Sequence, residues 1–470
     1  MTKTAAIIGG GVIGGGWAAR FLLNGWNVTV FDPDPEAARK IDEVLANARR
    51  ALPGLYDALL PAEGALRFES DLAAAVSGAD WVQESVPERL ELKHRILGQI
   101  AQAAPASAVI GSSTSGFKPS ELTAHGARAI VAHPFNPVYL LPLVELVGDA
   151  ETCIRASDLL RGIGMFPQHI RKEIDAHIGD RLLESIWRES LWLVQDGIAT
   201  TEEIDETIRM GFGLRWAQMG LFETYRIAGG EAGMKHFMAQ FGPALKWPWS
   251  RLTEVPEFTD KLVDLIAGQS EAQSGHLSIR ALERLRDDNL VAMMRALKRT
   301  GSGAGGVIRA HEATLPAPEA ADLPVTASVQ VPTSWTDYNG HMNETHYLEL
   351  GSRASDRTME LIGADAAYID KGLSYFTVEN HVRYLDEVRA GTRLRVTTQL
   401  LDGAGKRLHL FHRLLRDDGV VVATVESLLI HVDLGTRRSA PPAPQVAARL
   451  AELAASHAAH PRPEGLTAAR

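Results

Sequence analysis

The sequence TAAIIGGGVIG at residues 4–14 decides the fold of the first part of the chain. A short apolar run meets three consecutive glycines, and an alanine-rich amphipathic segment continues to Leu23. This order predicts a buried strand, a tight turn and a helix. The glycine spacing suits a turn, a close approach of backbone to a pyrophosphate, and close packing of helix on strand. We expect cofactor contacts from Gly9, Gly11, Val12, Ile13 and Gly14.

A second predicted strand, NVTVFD at residues 27–32, ends in an acid. Asp32 stands at the distance from the glycine turn expected for a group that binds the adenosine ribose hydroxyls. Its charge would repel a ribose 2′-phosphate, so NAD is favoured over NADP as cofactor. Further buried strands are predicted at 79–86, 108–112 and 129–132, with helical segments between the earlier ones. The alternation predicts an α/β Rossmann domain over residues 1–178.

Two titratable residues follow the last of these strands. His133 comes directly after it, and Glu145 lies in the apolar run from Leu143 to Val147. A buried carboxylate is costly without a partner, and His133 is the nearest suitable cation. A histidine oriented by a carboxylate can act as a general acid and base. A structural pair in the core is the alternative, but the position after the glycine turn, Asp32 and Ser115 favours catalysis.

These features together resemble the 3-hydroxyacyl-CoA dehydrogenase superfamily over roughly the first two thirds of the chain. The resemblance implies that His133 and Glu145 form the catalytic dyad and that Ser115 contacts substrate and nicotinamide. It also implies that Glu88 and Lys93 line the cofactor site. One departure is Asp180, which stands before an Arg-Leu-Leu sequence where the family usually has asparagine.

Residues 179–300 are predicted to form an all-helical domain. Apolar residues recur at helical spacing from Ile178 to Asp196, and residues 200–203 have the sequence of a capping box. Aromatic residues are frequent from Trp187 to Trp249, and most are expected in the core. Because aromatic faces attract cations, some of them could bind a quaternary ammonium group. As contacts for such a group we expect Asp180, Trp216 or Phe222.

The last third of the chain predicts a separate α+β hotdog domain. Glycines and prolines indicate a linker over 301–324, and a proline- and alanine-rich tail is predicted at 441–470. Between them, residues 325–440 predict a strand, a polar loop at 335–343, a helix at 345–362 and four more strands. One helix followed by an antiparallel sheet is typical of the hotdog fold.

The residues Asp337, Gly340, His341, Asn343 and Tyr347 resemble the pattern of acyl-CoA thioesterases of the 4-hydroxybenzoyl-CoA type. The resemblance implies that Asp337 acts as nucleophile or base, while backbone donors at the helix start stabilise the thioester oxyanion. His341 and Asn343 are candidates for substrate contacts, and Glu379 is a further candidate residue of the active site. A turn-forming role is the alternative for Asp337. The whole pattern and the strand order favour catalysis.

The fusion of the two parts resembles a bacterial family in which L-carnitine dehydrogenase carries a betainyl-CoA thioesterase domain. This implies that carnitine is oxidised to 3-dehydrocarnitine and betainyl-CoA is hydrolysed to glycine betaine, by a homodimer. Alternatives are a 3-hydroxyacyl-CoA or gulonate-type dehydrogenase fused to a general acyl-CoA thioesterase, and a crystallin-like nucleotide-binding structural module. Residues 39–68 form a segment that is short for the helical arm that 3-hydroxyacyl-CoA dehydrogenases use near CoA, which is evidence against the acyl-CoA alternative. Retention of His133, Glu145 and Ser115 opposes the structural one.

Composition narrows the partners to small molecules. The 470 residues carry a formal charge of −10 and show no basic runs, so neither a nucleic-acid nor a membrane partner is expected. A single cysteine, Cys153, excludes an intrachain disulfide and a cysteine-rich metal site, and no metal is expected. The cysteine usage suits a reducing compartment, and we expect a cytoplasmic protein.

Overall fold

The computed structural model describes residues 2–124, 126–228, 231, 233–241, 250, 257, 259–316 and 323–467. The chain forms two compact units, one of residues 1–49 with 62–314 and the other of residues 50–61 with 315–470. Trp247 and Trp249, among the aromatic residues noted above, lie outside the described residues.

The first unit begins with an eight-stranded sheet in the order β3-β2-β1-β4-β5-β6-β7-β8. Strands β1 to β6 run parallel, while β7 is antiparallel to β6 and parallel to β8. The strands are β1 Thr4–Ile8, β2 Asn27–Phe31, β3 Leu66–Phe68, β4 Trp81–Glu84, β5 Val109–Ser112, β6 Ile130–Pro134, β7 Leu143–Val147 and β8 Phe166–His169. The helices between them are α1 Val12–Leu22, α2 Ala37–Ala51, α3 Leu72–Val76, α4 Leu90–Ala103, α5 Pro119–Leu122 and α6 Ala150–Arg161.

This arrangement confirms the predicted Rossmann domain. Ala5 to Ile8 of β1 are fully buried, as expected for a central parallel strand covered on both faces. Gly14 has to be glycine because a Cβ there would lie 1.8 Å from the carbonyl oxygen of Gly9. Gly9 itself has a φ of 104°, which favours glycine. The turn therefore places the start of α1 at the carboxyl end of β1.

The helical part of the first unit follows the sheet. Its helices are α7 Gly179–Gln195, α8 Thr201–Thr207, α9 Gly213–Ala228, α10 Gly233–Phe241, α11 Asp260–Ser274, α12 Ile279–Thr300 and α13 Gly303–Glu312, with a π-helical turn at Ile208–Phe212. The capping box at Thr200 is confirmed, since its hydroxyl accepts from the backbone N–H of Glu203 and Glu203 Oε2 accepts from the N–H of Thr200. Among the described residues, no helix is long and apolar enough to cross a membrane.

Helix α13 lies inside the stretch that was predicted to be a linker, and this part of the prediction is wrong. A Cβ on Gly305 would lie 2.1 Å from the backbone of Leu297, so glycine lets α13 pack directly on α12. The glycine-rich sequence serves close helix packing here, and Ile308 is buried. Composition alone does not separate that use of glycine from flexibility.

The second unit confirms the hotdog prediction. Its sheet has the order β10-β13-β12-β11-β9, with neighbouring strands antiparallel and β14 paired to β13. The elements are β9 Val325–Gln330, α14 Glu344–Leu361, α15 Ala366–Ile369, β10 Leu373–Tyr384, β11 Arg393–Asp402, β12 Arg407–Arg416, β13 Val421–Asp433, β14 Arg438–Ser439 and α16 Pro444–His457. Helix α14 packs on the sheet through Tyr347, Leu350 and Ala354. Gly351 permits this approach, because a Cβ there would lie 2.6 Å from Val425.

The predicted tail is an ordered part of this unit. Val446 and Leu450 of α16 are buried in a core shared with Leu400 of β11. Beyond α16, the backbone N–H and the hydroxyl of Thr467 donate to Glu426 Oε2 at 2.9 and 2.7 Å. The alanine-rich sequence therefore contains an amphipathic helix whose apolar face is buried in this unit.

Candidate functional site

A cradle for a dinucleotide lies at the carboxyl ends of β1, β2 and β4. Helix α1 begins at Gly11 without a side-chain cap, which leaves its first N–H groups available for an anion. A Cβ on Gly11 would meet no atom within 4 Å, so the space in front of the helix is open. A cavity of about 1010 Å³ lined by Gly9, Gly10, Gly11 and Asp32 adjoins it. These residues fit a bound pyrophosphate.

Asp32 is held in place at this cavity. Its Oδ2 accepts from the N–H of Gly10 at 2.5 Å and its Oδ1 from the N–H of Asp34 at 2.7 Å. Each carboxylate oxygen has two lone pairs, so each can accept a further hydrogen bond from a ribose hydroxyl. The contact of Asp32 with the ribose hydroxyls stays a prediction.

Lys93 and Glu88 belong to a network beside the cradle. Lys93 is 1% exposed, and its Nζ lies 2.9 Å from Glu84 Oε1 and 3.2 Å from Glu88 Oε2. Glu88 Oε1 accepts from the N–H groups of Ser115 and Gly116 at 3.1 and 3.2 Å. Burial raises the pKa of Glu88, but the hydroxyl of Thr114 and the charge of Lys93 outweigh it and hold this pKa below its usual value. The pair thus fixes the turn that carries the exposed Ser115.

Glu84 is a member of this network that sequence reasoning missed. It is fully buried at the end of β4 and contacts the hydroxyl of Ser112 as well as Lys93. An acid at the end of a strand predicted to be buried is the signal that could have identified it, because a buried carboxylate needs a partner.

His133 and Glu145 lie directly opposite each other on β6 and β7. His133 Nδ1 is 3.0 Å from Glu145 Oε2, and both side chains are buried. Glu145 Oε1 accepts from the backbone N–H groups of Ile178 and Gly179 at 3.0 and 2.9 Å, at the start of α7. Burial raises the pKa of Glu145, but His133 and the two backbone donors outweigh it, so this pKa lies below its usual value. Because an ionised carboxylate can only accept, Nδ1 is the ring nitrogen that donates to Glu145, and Nε2 is directed away from that carboxylate.

Asp180, in the first turn of α7, lies on the reactive side of this ring. Its Oδ2 is 3.5 Å from His133 Nε2. Burial raises the pKa of Asp180, and the interaction with His133 opposes that shift. The two predicted aromatic contacts are placed differently. Trp216 packs on Phe212 with ring centroids 4.5 Å apart, and Phe222 is 74% exposed. Among the described residues, no ring contact joins Trp216 or Phe222 to His133.

His177 is a second imidazole at the dyad that sequence reasoning did not identify. Its ring centroid is 5.4 Å from that of His133, and its Nε2 is 3.2 Å from the carbonyl oxygen of Thr114. The side chain is fully buried, which lowers its pKa and keeps the ring neutral. Both His177 and Ala176 have left-handed backbone, with φ values of 52° and 58°. This tight bend leads into the N–H groups that bind Glu145.

The polar loop of the second unit places Asp337 close to the start of α14. Asp337 is half-buried, and its Oδ1 accepts from the N–H of Asn339 at 2.8 Å, as in an Asx turn. Gly340 has a φ of 78° and donates to the carbonyl of Asp337. The turn therefore uses one carboxylate oxygen of Asp337. Both readings of this residue, turn former and reactive carboxylate, are compatible with the geometry.

The weaker candidates in this unit have partners of their own. Asn343 caps α14, since its Oδ1 accepts from the N–H and the hydroxyl of Thr345 at 3.0 and 2.7 Å. His341 Nε2 lies 3.3 Å from Glu387 Oε2. Glu379 follows a bulge in β10 and lies 2.6 Å from His381 Nε2. Asn343 thus shapes the helix start that would face a thioester.

Three family models match successive parts of the chain. The NAD binding domain of 3-hydroxyacyl-CoA dehydrogenase matches residues 4–173, and its C-terminal domain matches residues 177–264. The thioesterase-like superfamily matches residues 331–450.

Relatives match the chain in part or along its whole length. An L-carnitine dehydrogenase/betainyl-CoA thioesterase of Ruegeria pomeroyi is 63% identical over 98% of both chains. An L-carnitine dehydrogenase of Mesorhizobium japonicum is 60% identical over 65% of this chain and 86% of the relative. Among solved structures, an NAD⁺-dependent 5-formyl-3-hydroxy-2-methylpyridine 4-carboxylic acid 5-dehydrogenase is 26% identical with a TM-score of 0.53, covering 63% of this chain and 99% of that one.

Proposed function

The chain belongs to the family of L-carnitine dehydrogenases that carry a betainyl-CoA thioesterase domain, and we propose from this that it catalyses both reactions. The first unit oxidises L-carnitine to 3-dehydrocarnitine with NAD as cofactor. The second hydrolyses betainyl-CoA to glycine betaine and CoA. The observation that carries the first assignment is the buried His133–Glu145 pair, whose Nε2 is left to accept a proton.

In the first reaction, His133 Nε2 accepts the proton of the 3-hydroxyl group as the carbonyl forms. An NAD held by the glycine turn and Asp32 would supply the acceptor for the hydride that leaves C3. Glu145 holds the proton on Nδ1 and stabilises the imidazolium, and its two backbone donors at α7 keep it in position. Ser115 donates a hydrogen bond to the substrate oxygen. We also assign to Asp180 an interaction with the positive trimethylammonium head, because its carboxylate lies beside the reactive nitrogen.

In the second reaction, the Asp337 carboxylate either attacks the thioester carbonyl or takes a proton from the attacking water. Backbone N–H groups at the start of α14 stabilise the oxyanion, and the CoA thiolate leaves and is protonated. Water supplies the second oxygen of the new carboxyl group. One of its hydrogens goes to the CoA thiol and the other to the carboxylic acid. The placement of Asp337 just before α14 supports this reading, and since the N–H of Thr345 already donates to Asn343, the oxyanion donors are other N–H groups of this turn.

A cytoplasmic homodimer is part of the proposal. Strand β10 is a 12-residue edge of the hotdog sheet, and it exposes Phe376, Val378 and Tyr384 by 43, 57 and 53%. Exposed edge strands readily pair with another strand. We therefore expect β10 of one copy to pair with β10 of a second, and Val378→Lys to lower the mass measured by light scattering. If wild type and Val378→Lys have the same mass, pairing through β10 is contradicted.

Two assays on the purified chain test the function. We expect NADH to form from L-carnitine and NAD, and free thiol to form from betainyl-CoA, each in proportion to enzyme. Turnover of 3-hydroxybutyryl-CoA in preference to carnitine would support the acyl-CoA alternative. NADH formation without thiol release would leave the assignment of the second unit wrong, and no turnover of any substrate would support the structural-module alternative.

Replacing Asp32 with serine should shift cofactor preference toward NADP. The change removes the charge that would repel a 2′-phosphate, while the serine oxygen can still accept from Gly10. We expect the ratio of kcat/KM for NADP to that for NAD to rise by about tenfold or more. Asp42→Asn, an exposed change on α2, is the control and should leave the ratio unchanged. An unaltered ratio in Asp32→Ser would show that this carboxylate does not face the ribose.

A further inference from the structure

A second cavity of about 560 Å³ lies within the helical part of the first unit, along α7. Asp180, Glu184 and Trp187 line it, and their spacing of four and three residues places them on one face of that helix. Residues of α8 and α11 complete it, among them Asp205, Ile204 and Ile266. The proposed mechanism does not use this cavity beyond Asp180.

Asp180 joins the cavity to the catalytic dyad. Asp180 is a lining residue of the cavity, and its Oδ2 lies 3.5 Å from His133 Nε2. In carnitine, a single methylene group separates the carbinol carbon from the quaternary nitrogen. When the hydroxyl group binds Nε2, the trimethylammonium head must therefore bind close by, on one side of the ring or the other. Asp180, which lines the cavity, lies on one of those sides.

The lining of the cavity suits a cation that has no hydrogen to donate. Most of the wall is aliphatic, and it matches the three methyl groups; the aliphatic members are Leu183, Ile186, Leu191, Val194, Ile204, Ile208 and Ile266. Three carboxylates, of Asp180, Glu184 and Asp205, supply negative charge, and no lysine or arginine is among the lining residues.

Trp187 supplies the aromatic face that such a cation prefers. Its side chain is 54% exposed, so part of the indole is free to meet a ligand. A neutral acyl chain would gain nothing from the carboxylates and would have to displace their water.

We infer that this cavity is the trimethylammonium subsite, with Trp187 and Glu184 as specificity-determining residues that act together with Asp180. The inference rests on the proposed carnitine oxidation. The sequence had suggested Trp216 and Phe222 as aromatic contacts for the trimethylammonium group. The inference assigns this contact to Trp187 instead, on helix α7, which starts at the dyad. Glu184 also pairs with Arg188 at 3.4 Å, which fixes its carboxylate along the same helix.

The test compares L-carnitine with its neutral carbon isostere, 3-hydroxy-5,5-dimethylhexanoate, in which a tert-butyl group replaces the trimethylammonium group. Wild type should prefer carnitine in kcat/KM. In Trp187→Leu we expect the carnitine-to-isostere ratio to fall by about three- to thirtyfold, mainly through KM for carnitine. Glu184→Gln should lower the same ratio by about fivefold, and by less at high salt because the charge is partly screened.

Controls distinguish a specific effect on this subsite from a loss of folded protein. Glu189→Gln removes a charge from the same helix but is not among the lining residues, and should keep the ratio. Unchanged NADH binding by fluorescence and unchanged thermal melting show that the variants fold. A ratio that collapses in Trp216→Leu and persists in Trp187→Leu would overturn the inference, as would a wild type that does not distinguish the two substrates. Absence of carnitine oxidation by wild type would instead refute the proposed function.

Discussion

Replacing His133 with glutamine is expected to lower kcat for carnitine oxidation by about a thousandfold, within the range that general acid-base catalysis contributes. Glutamine can still hydrogen-bond Glu145, so the buried carboxylate keeps a partner and the fold should survive. What is lost is the atom that accepts the hydroxyl proton. The measurement is the steady-state rate of NADH formation, together with NADH binding, which should be unchanged.

Two comparisons make the His133 result specific. Glu145→Gln should lower kcat by less, about tenfold to a hundredfold, because the imidazole remains but loses its fixed proton on Nδ1 and the stabilisation of its charged form. Thiol release from betainyl-CoA should be unaffected in both variants. A His133→Gln enzyme within tenfold of wild type would show that the pair is a structural contact in the core.

Replacing Asp337 with asparagine should lower thioesterase kcat by about a thousandfold and leave carnitine oxidation intact. Asparagine keeps the oxygen that accepts from the N–H of Asn339, so the turn is preserved while the charge is removed. The substitution therefore separates the two roles that the geometry allows. Release of free thiol from betainyl-CoA is the measurement, with circular dichroism as the check on folding.

The matched control for Asp337 is the neighbouring acid-to-amide change Glu387→Gln, at the residue that lies beside His341. It should retain most of the thiol release. If Asp337→Asn is as active as wild type, Asp337 is a turn residue only, and another group must activate the water. If both variants lose activity equally, the loop tolerates no change and the assignment to Asp337 loses its support.

Much of the fold could be predicted because its signals are local. The glycine turn, the acid at the end of β2, the capping box at Thr200 and the alternation of the hotdog strands each depend on backbone sterics and periodicity within a few residues. The linker assignment was wrong where composition was ambiguous. The glycines at 303–306 serve close packing of α13 on α12, and the alanines after 444 form a helix with a buried face.

The sequence by itself determined the dinucleotide turn and the pairing of a dehydrogenase with a thioesterase-like fold, and it predicted the contact between His133 and Glu145 that the structure contains. Only the tertiary structure decided which side chains surround that dyad. Glu84 meets Lys93, His177 meets His133, and Asp180 lies at the end of a cavity that reaches Trp187. Such contacts join residues of different elements, and their distances depend on how helices and strands pack. Local periodicity carries no record of that packing, so the sequence could not show that Trp187 lines a cavity while Trp216 packs on Phe212.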